Sequence, residues 1–160
     1  MSPRGRISAA AVLLFTAIFA CGGGMPSSTA PTQVLDVAGG WSGTSADSQG
    51  ATAIDWMLTQ TGKTVTGTVR TNAPDPFDGS CNSCHRNKSG TVSGAITGTT
   101  LTLTMQFAAG VDGDPTPICS ATMTGTATLN GSAQLGGAYT GSDTCEGAFL
   151  NGSLTMTRRK

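Results

Sequence analysis

Thr100-Leu101-Thr102-Leu103-Thr104-Met105-Gln106-Phe107 decides the fold. Leu101, Leu103, Met105 and Phe107 fall at every second position, and Thr100, Thr102, Thr104 and Gln106 fill the positions between. A helix would scatter that pattern around its axis, because its side chains repeat every 3.6 residues. A strand sorts it into one apolar and one polar face. The same period recurs on both sides of this stretch, near 37–44, 52–60, 63–70, 90–96, 119–129, 132–141 and 147–157. With 99–107 that makes eight strands. Composition agrees. Only 11% of the 160 residues are charged and 5% are aromatic, while 23 are glycine. Long helices, coiled coils and charged tails need a larger charged fraction, about a quarter in ordinary domains.

The glycines share a phase. Six strands carry an apolar-x-Gly-x-apolar run on the expected inward face: Val37/Gly39/Trp41, Val65/Gly67/Val69, Val92/Gly94/Ile96, Met123/Gly125/Ala127, Leu135/Gly137/Tyr139 and Leu150/Gly152/Leu154. Glycine weakens an isolated strand. Placed at the inward midpoint of successive strands, it removes bulk and permits the coiling that closes a small barrel. Ile54/Trp56/Leu58 and Leu101/Leu103/Met105 supply the filling.

The turns order the strands. Thr61-Gly62, Thr97-Gly98 and Asn130-Gly131 join strands 2–3, 4–5 and 6–7. Such pairs suit tight hairpins, which need positive φ. The connections 45–51, 71–89, 108–118 and 142–146 then gather at the opposite end. The reading is an all-β, eight-stranded antiparallel up-and-down barrel over residues 36–160, with one end sealed and one end loopy. Ligands belong at the loopy end.

Gly39-Gly40-Trp41 on the first strand, eight meandering strands, Thr-Gly-Thr repeats and a terminal basic residue resemble lipocalin-like and avidin-like barrels. More closely, the chain is similar to small uncharacterised bacterial lipoproteins with a lipocalin-like barrel. The resemblance covers most of residues 37–158. It implies a fold in which small molecules can be held inside the barrel, and no biotin-site pattern carries over residue by residue.

Residues 1–20 read as an address. Arg4 and Arg6 precede an uncharged apolar run from Ile7 to Ala20. The run is shorter than the ~20 residues that span a bilayer, and it suits a secretory signal peptide. Ile18-Phe19-Ala20-Cys21 resembles the lipobox of bacterial lipoproteins. That implies lipidation at Cys21, a palmitate-bearing anchor and a cell-envelope location. Gly22 rather than Asp after Cys21 implies, by the same resemblance, an outer-membrane destination. The alternative is ordinary cleavage near Ala20 with Cys21 a stray thiol. Residues 21–35 then serve as lipidated cysteine and flexible linker. Loss of Arg4 and Arg6 takes nine basic residues to seven against nine acidic ones, a net charge of about −2. On that count no basic surface survives that could hold nucleic acid or an acidic headgroup layer.

Four further cysteines, Cys81, Cys84, Cys119 and Cys145, map to the loopy end. Export to an oxidising compartment suggests two disulfides among three pairings. Cys119 opens strand 6 and Cys145 precedes strand 8, and strand 7 brings them to one rim. The expected bond is Cys119–Cys145, worth about 3 kcal/mol, which leaves Cys81 with Cys84. Those two also belong to Cys81-Asn82-Ser83-Cys84-His85, the attachment pattern of covalent haem c. There the cysteines would carry thioethers and His85 would be an axial ligand, with Met105 or Met123 as sixth. The surrounding loop is polar and offers only Phe77 to cover a porphyrin. The alternative is a disulfide staple with His85 solvated.

Seven of the nine carboxylates share that rim: Asp47, Asp75, Asp78, Asp112, Asp114, Asp143 and Glu146. None has EF-hand spacing, and Asp and Gly are ordinary turn residues, so a solvated acidic rim is expected and no metal site is assigned. Catalytic constellations are absent. The lone His85 has no nucleophile at a known spacing, and no glycine-rich phosphate loop opens a helix. Trp41 and Trp56 read as core plugs. Two functions follow. One is a non-enzymatic binding or structural module on a lipid anchor, taking a small apolar ligand or a protein partner at the open rim and no nucleic acid. The other is a monohaem c-type electron-transfer protein built on Cys81, Cys84 and His85.

Overall fold

The computed structural model describes residues 35–72, 85–110 and 119–160. Eight strands form a closed barrel in sequence order: β1 Gly39–Asp47, β2 Gly50–Thr61, β3 Thr64–Asn72, β4 Ser89–Thr97, β5 Thr100–Phe107, β6 Ala121–Asn130, β7 Gln134–Asp143 and β8 Gly147–Arg158. Every neighbouring pair is antiparallel. β1 pairs with β8 from Trp41↔Arg158 to Ala46↔Ser153, so no strand edge is left open. All eight strands read from alternation are present, each displaced by at most a few residues.

Alternation works because the inner face is dry. Leu101, Leu103, Met105 and Phe107 of β5 are buried, as are Ile54, Trp56 and Leu58 of β2. Trp41 and Trp56 pair across β1 and β2 and fill the middle of the barrel. Trp41, Trp56, Leu101, Leu103 and Tyr139 are between 0% and 4% exposed and pack at the density of a protein interior. Among the described residues, the middle of the barrel is packed with these side chains.

The glycine reading holds at five of six positions. A methyl group added at Gly67, Gly94, Gly125 or Gly137 would drive into a backbone oxygen of the next strand: Met57, Thr102, Ala138 and Thr126 respectively. At Gly152 it would strike the Tyr139 ring and carbonyl. Strands approach this closely because the sheet coils sharply, and only glycine permits it. Gly43, Gly90 and Gly141 carry the same restriction without the apolar-x-Gly-x-apolar pattern. Gly39 does not belong to the set. Its neighbourhood is open to 3.8 Å, and its φ of +109° is what requires glycine.

Leu150 is a second departure. It was expected inward, yet it is 56% exposed, and Phe149 takes the inner position. Tyr139 pairs with Gly152 but Gly141 pairs with Phe149, so β8 carries one extra residue there. Asn151 absorbs it with a φ of 58°. Such a bulge reverses the phase of one half of the strand.

The ends differ as expected. Gly62, Gly98 and Gly131, all at positive φ, make the tight turns of one end. At the other end the first connection is shorter than the 45–51 loop read from sequence. β1 and β2 run on until only Ser48 and Gln49 remain between them. The Asp47 Oδ1 accepts the Gln49 amide at 2.8 Å and sets that turn.

Candidate functional site

The inward phase of several strands turns polar as they reach the loop-bearing end. Ser45 and Asp47 continue the inner row of β1, Thr52 that of β2, Thr71 that of β3 and Asp143 that of β7. All sit where water would enter, but they are covered. The chain leading into β4 folds into the mouth, and His85, Arg86 and Lys88 are 0%, 2% and 4% exposed.

His85 lies at the centre. Its ring stacks on Phe149 with centroids 3.9 Å apart. Nε2 is 2.9 Å from Asp47 Oδ2, and Nδ1 is 3.9 Å from Asp143 Oδ2. The Tyr139 hydroxyl donates to the same Asp47 oxygen at 2.8 Å. Arg86 is held by its backbone and its head. Its carbonyl accepts from Thr52 Oγ1 at 2.9 Å, and its Nη2 donates to Ala51 O at 3.0 Å. Gly50 makes room, since a methyl there would meet the guanidinium at 3.0 Å. The Lys88 amide donates to Thr71 Oγ1 at 3.0 Å, and its ammonium donates to Cys119 O. Cys119 and Cys145 form a disulfide with Cα atoms 5.7 Å apart, so the lysine is tied to the cross-linked rim.

The electrostatics follow from burial and partners. Burial pushes the Asp47 carboxyl up. Hydrogen bonds from His85, the Gln49 amide and Tyr139 outweigh it and hold the group below the ordinary carboxylate value. Burial, then the neighbouring Asp47, push the Tyr139 phenol well above its usual range, so it stays a donor. Asp143 Oδ1 accepts the amides of Cys145 and Glu146, and its Oδ2 has no hydrogen-bond partner among the described residues.

Several expectations change here. His85 is not solvated. Asp47 and Asp143 are not a solvated rim but buried partners of that histidine, because the mouth is plugged by its own chain. Glu146 is exposed. Cys21, Cys81, Cys84, Asp75, Asp78, Asp112 and Asp114 lie outside the described residues. Nε2 of His85 faces Asp47, Nδ1 faces Asp143 and Phe149 covers one ring face, while the two cysteines of the haem-attachment pattern lie outside the described residues. Met105 and Met123 are fully buried in the core. Among the described residues, no group of three or more His, Cys, Asp or Glu is placed to hold a metal ion. Sequence reasoning missed Arg86, Lys88 and Tyr139. The available signal was three basic or titratable residues, His85, Arg86 and Lys88, packed into four positions of an otherwise charge-poor chain.

Comparison with known proteins reaches the fold and stops there. No protein-family model matches the chain, and no curated protein matches it. Among solved structures, a redesigned beta barrel is 17% identical over 77% of this chain and 91% of its own, with a TM-score of 0.51. EF1p2_mFAP2b, solved bound to DFHBI, is 14% identical over 77% and 93%, also at 0.51. The rhizavidin–biotin complex is 14% identical over 78% and 97%, with a TM-score of 0.44, too low to carry an argument.

Proposed function

We propose that the protein is a non-enzymatic binding module of the cell envelope, tethered through lipidated Cys21 and contacting its ligand or partner at the plugged mouth. The carrying observation is the contrast between the two halves of the interior. The middle is fully packed with apolar side chains, while the mouth buries His85, Arg86, Lys88, Asp47 and Asp143 together. Burying charge is expensive, and well-packed apolar residues would serve stability as well or better. Because its members are sealed from solvent and paired with one another, the cluster acts as the rigid support of a recognition surface at the rim, where Glu146 is exposed.

The lipid anchor rests on Ile18-Phe19-Ala20-Cys21, and the outer-membrane destination on Gly22. Incorporation of labelled palmitate that disappears in Cys21→Ser supports the anchor, and equal labelling of both overturns it. For the mouth, the test is thermal-shift screening of the processed protein against small polar and amphiphilic ligands. A hit whose stabilisation vanishes in Tyr139→Phe or Glu146→Gln supports the site. A hit that neither variant changes, or one that is chemically converted, overturns it. The haem alternative is tested in the same preparation. A Soret band on protein made with haem-attachment machinery would replace this reading of residues 81–85.

A further inference from the structure

The net charge conceals a segregation. Beyond residue 20 there are seven basic residues, and four of them, Lys63, Arg158, Arg159 and Lys160, stand at the tight-turn end. Lys63 sits in the β2–β3 turn, where its carbonyl accepts the Ile96 amide at 2.8 Å. Arg158 closes the last strand beside Trp41, with its Nε donating to Ser132 O in the β6–β7 turn. Two acids offset them in part: Asp36 lies 3.8 Å from Arg158, and Asp55 pairs with Arg159. Lys63 and Lys160 project into solvent. By sequence the other three basic residues, Arg70, Arg86 and Lys88, lie toward the mouth with seven carboxylates, of which Asp47 and Asp143 are buried. The expectation that no basic surface survives rests on a sum over the chain, and a sum carries no information about placement.

The chain enters the barrel at this same basic end. Gln60 Nε2 donates to Leu35 O at 2.7 Å and Gln60 Oε1 accepts from Val37 at 2.8 Å, beside the β2–β3 turn. Residues 22–34 span at most about 45 Å from Cys21 to that point. Between the turns and the C-terminal residues runs a groove of about 860 Å³ lined by Leu35, Leu129 and Ala133 together with Arg158, Arg159 and Lys160.

We propose that this end is a membrane-docking surface. The exposed Lys63 and Lys160 meet the anionic phospholipid headgroups of the bilayer that holds the anchor, and the mouth faces away. The inference rests on the lipid-anchor reading, because the tether is what brings this end to a bilayer. Each cation near an anionic leaflet contributes about fivefold to the docked population. Orientation by charge is screened by salt over about 10 Å at 0.1 M.

Lys63, Lys88 and Lys160 are the only lysines of the chain, and the two exposed ones report docking. The processed, lipidated protein is placed on vesicles of phosphatidylcholine alone, or with about a third phosphatidylglycerol. Flotation with the neutral vesicles reads the anchor, and absence of flotation on both compositions defeats the anchor itself. Amine acylation followed by mass spectrometry then reads docking on the protein that floats. Labelling of Lys63 and Lys160 should fall several-fold on the anionic vesicles only, and recover at about 0.5 M salt. In Lys63→Gln the protection of Lys160 should weaken about fivefold, with flotation unchanged. Equal labelling on both compositions, or protection that persists in high salt, overturns the docking surface while leaving the anchor standing.

Discussion

His85 Nε2 lies 2.9 Å from Asp47 Oδ2, with both side chains sealed from solvent, and joins positions 38 apart in the chain. The contact ties the segment entering β4 to the inner face of β1. It also makes the plug of the mouth an electrostatic device rather than a hydrophobic one. Asp47→Ala leaves His85 and the Tyr139 hydroxyl buried without their acceptor, and should cost about 3 kcal/mol. Urea unfolding of the two proteins at neutral pH measures it, and a change under about 0.5 kcal/mol would refute the assignment.

The same carboxyl predicts a pH dependence. Its pKa is lower folded than unfolded. The folded state therefore binds fewer protons around that value, and stability rises with pH there. The contribution is complete above the ordinary carboxylate range, near 3.9, and is lost as pH falls through the depressed folded value. Asp47→Asn should flatten the acid limb of the stability curve. An acid limb identical to wild type would assign it to other groups.

Glycine substitutions should split by neighbourhood. Gly125→Ala places a methyl against the Ala138 carbonyl and the Tyr139 backbone, and should destabilise by about 2 kcal/mol or more. Gly136→Ala meets nothing closer than 3.8 Å at an ordinary φ, and should fall within about 0.5 kcal/mol of wild type. Melting temperatures of the pair decide whether closure of the barrel, or flexibility alone, demands the inward glycines.

The β8 bulge gives an independent check. Asn151 holds a φ of 58°, which asparagine tolerates and β-branched residues do not. Asn151→Val should cost about 1–3 kcal/mol, whereas Asn151→Gly should be neutral or slightly stabilising. Similar losses in both would locate the effect in side-chain contacts instead.

Cys119 and Cys145 close a loop with a sequence separation of 26. Replacing both by Ala should remove about 3 kcal/mol. Because the Lys88 ammonium donates to the Cys119 carbonyl, loss of the cross-link should also raise amide exchange through residues 85–88. Exchange confined to residues 119–145 would separate the rim from the plug.

The sequence by itself determined the barrel. Leu101 to Phe107 alternate because one strand face is dry, and Gly67, Gly94, Gly125 and Gly137 keep one phase because coiled strands leave no room for a methyl group. Both are local rules written into spacing, so they can be read without coordinates. Only the tertiary structure decided the rest. Whether Leu150 or Phe149 points inward depends on a bulge paired against Tyr139 and Gly141. Whether His85 meets solvent or Asp47 depends on how a connection folds back over the mouth. Whether four cations share one end depends on which turns the closed sheet sets side by side. Burial and charge placement are sums over partners distant in the chain, and a one-dimensional pattern does not contain them.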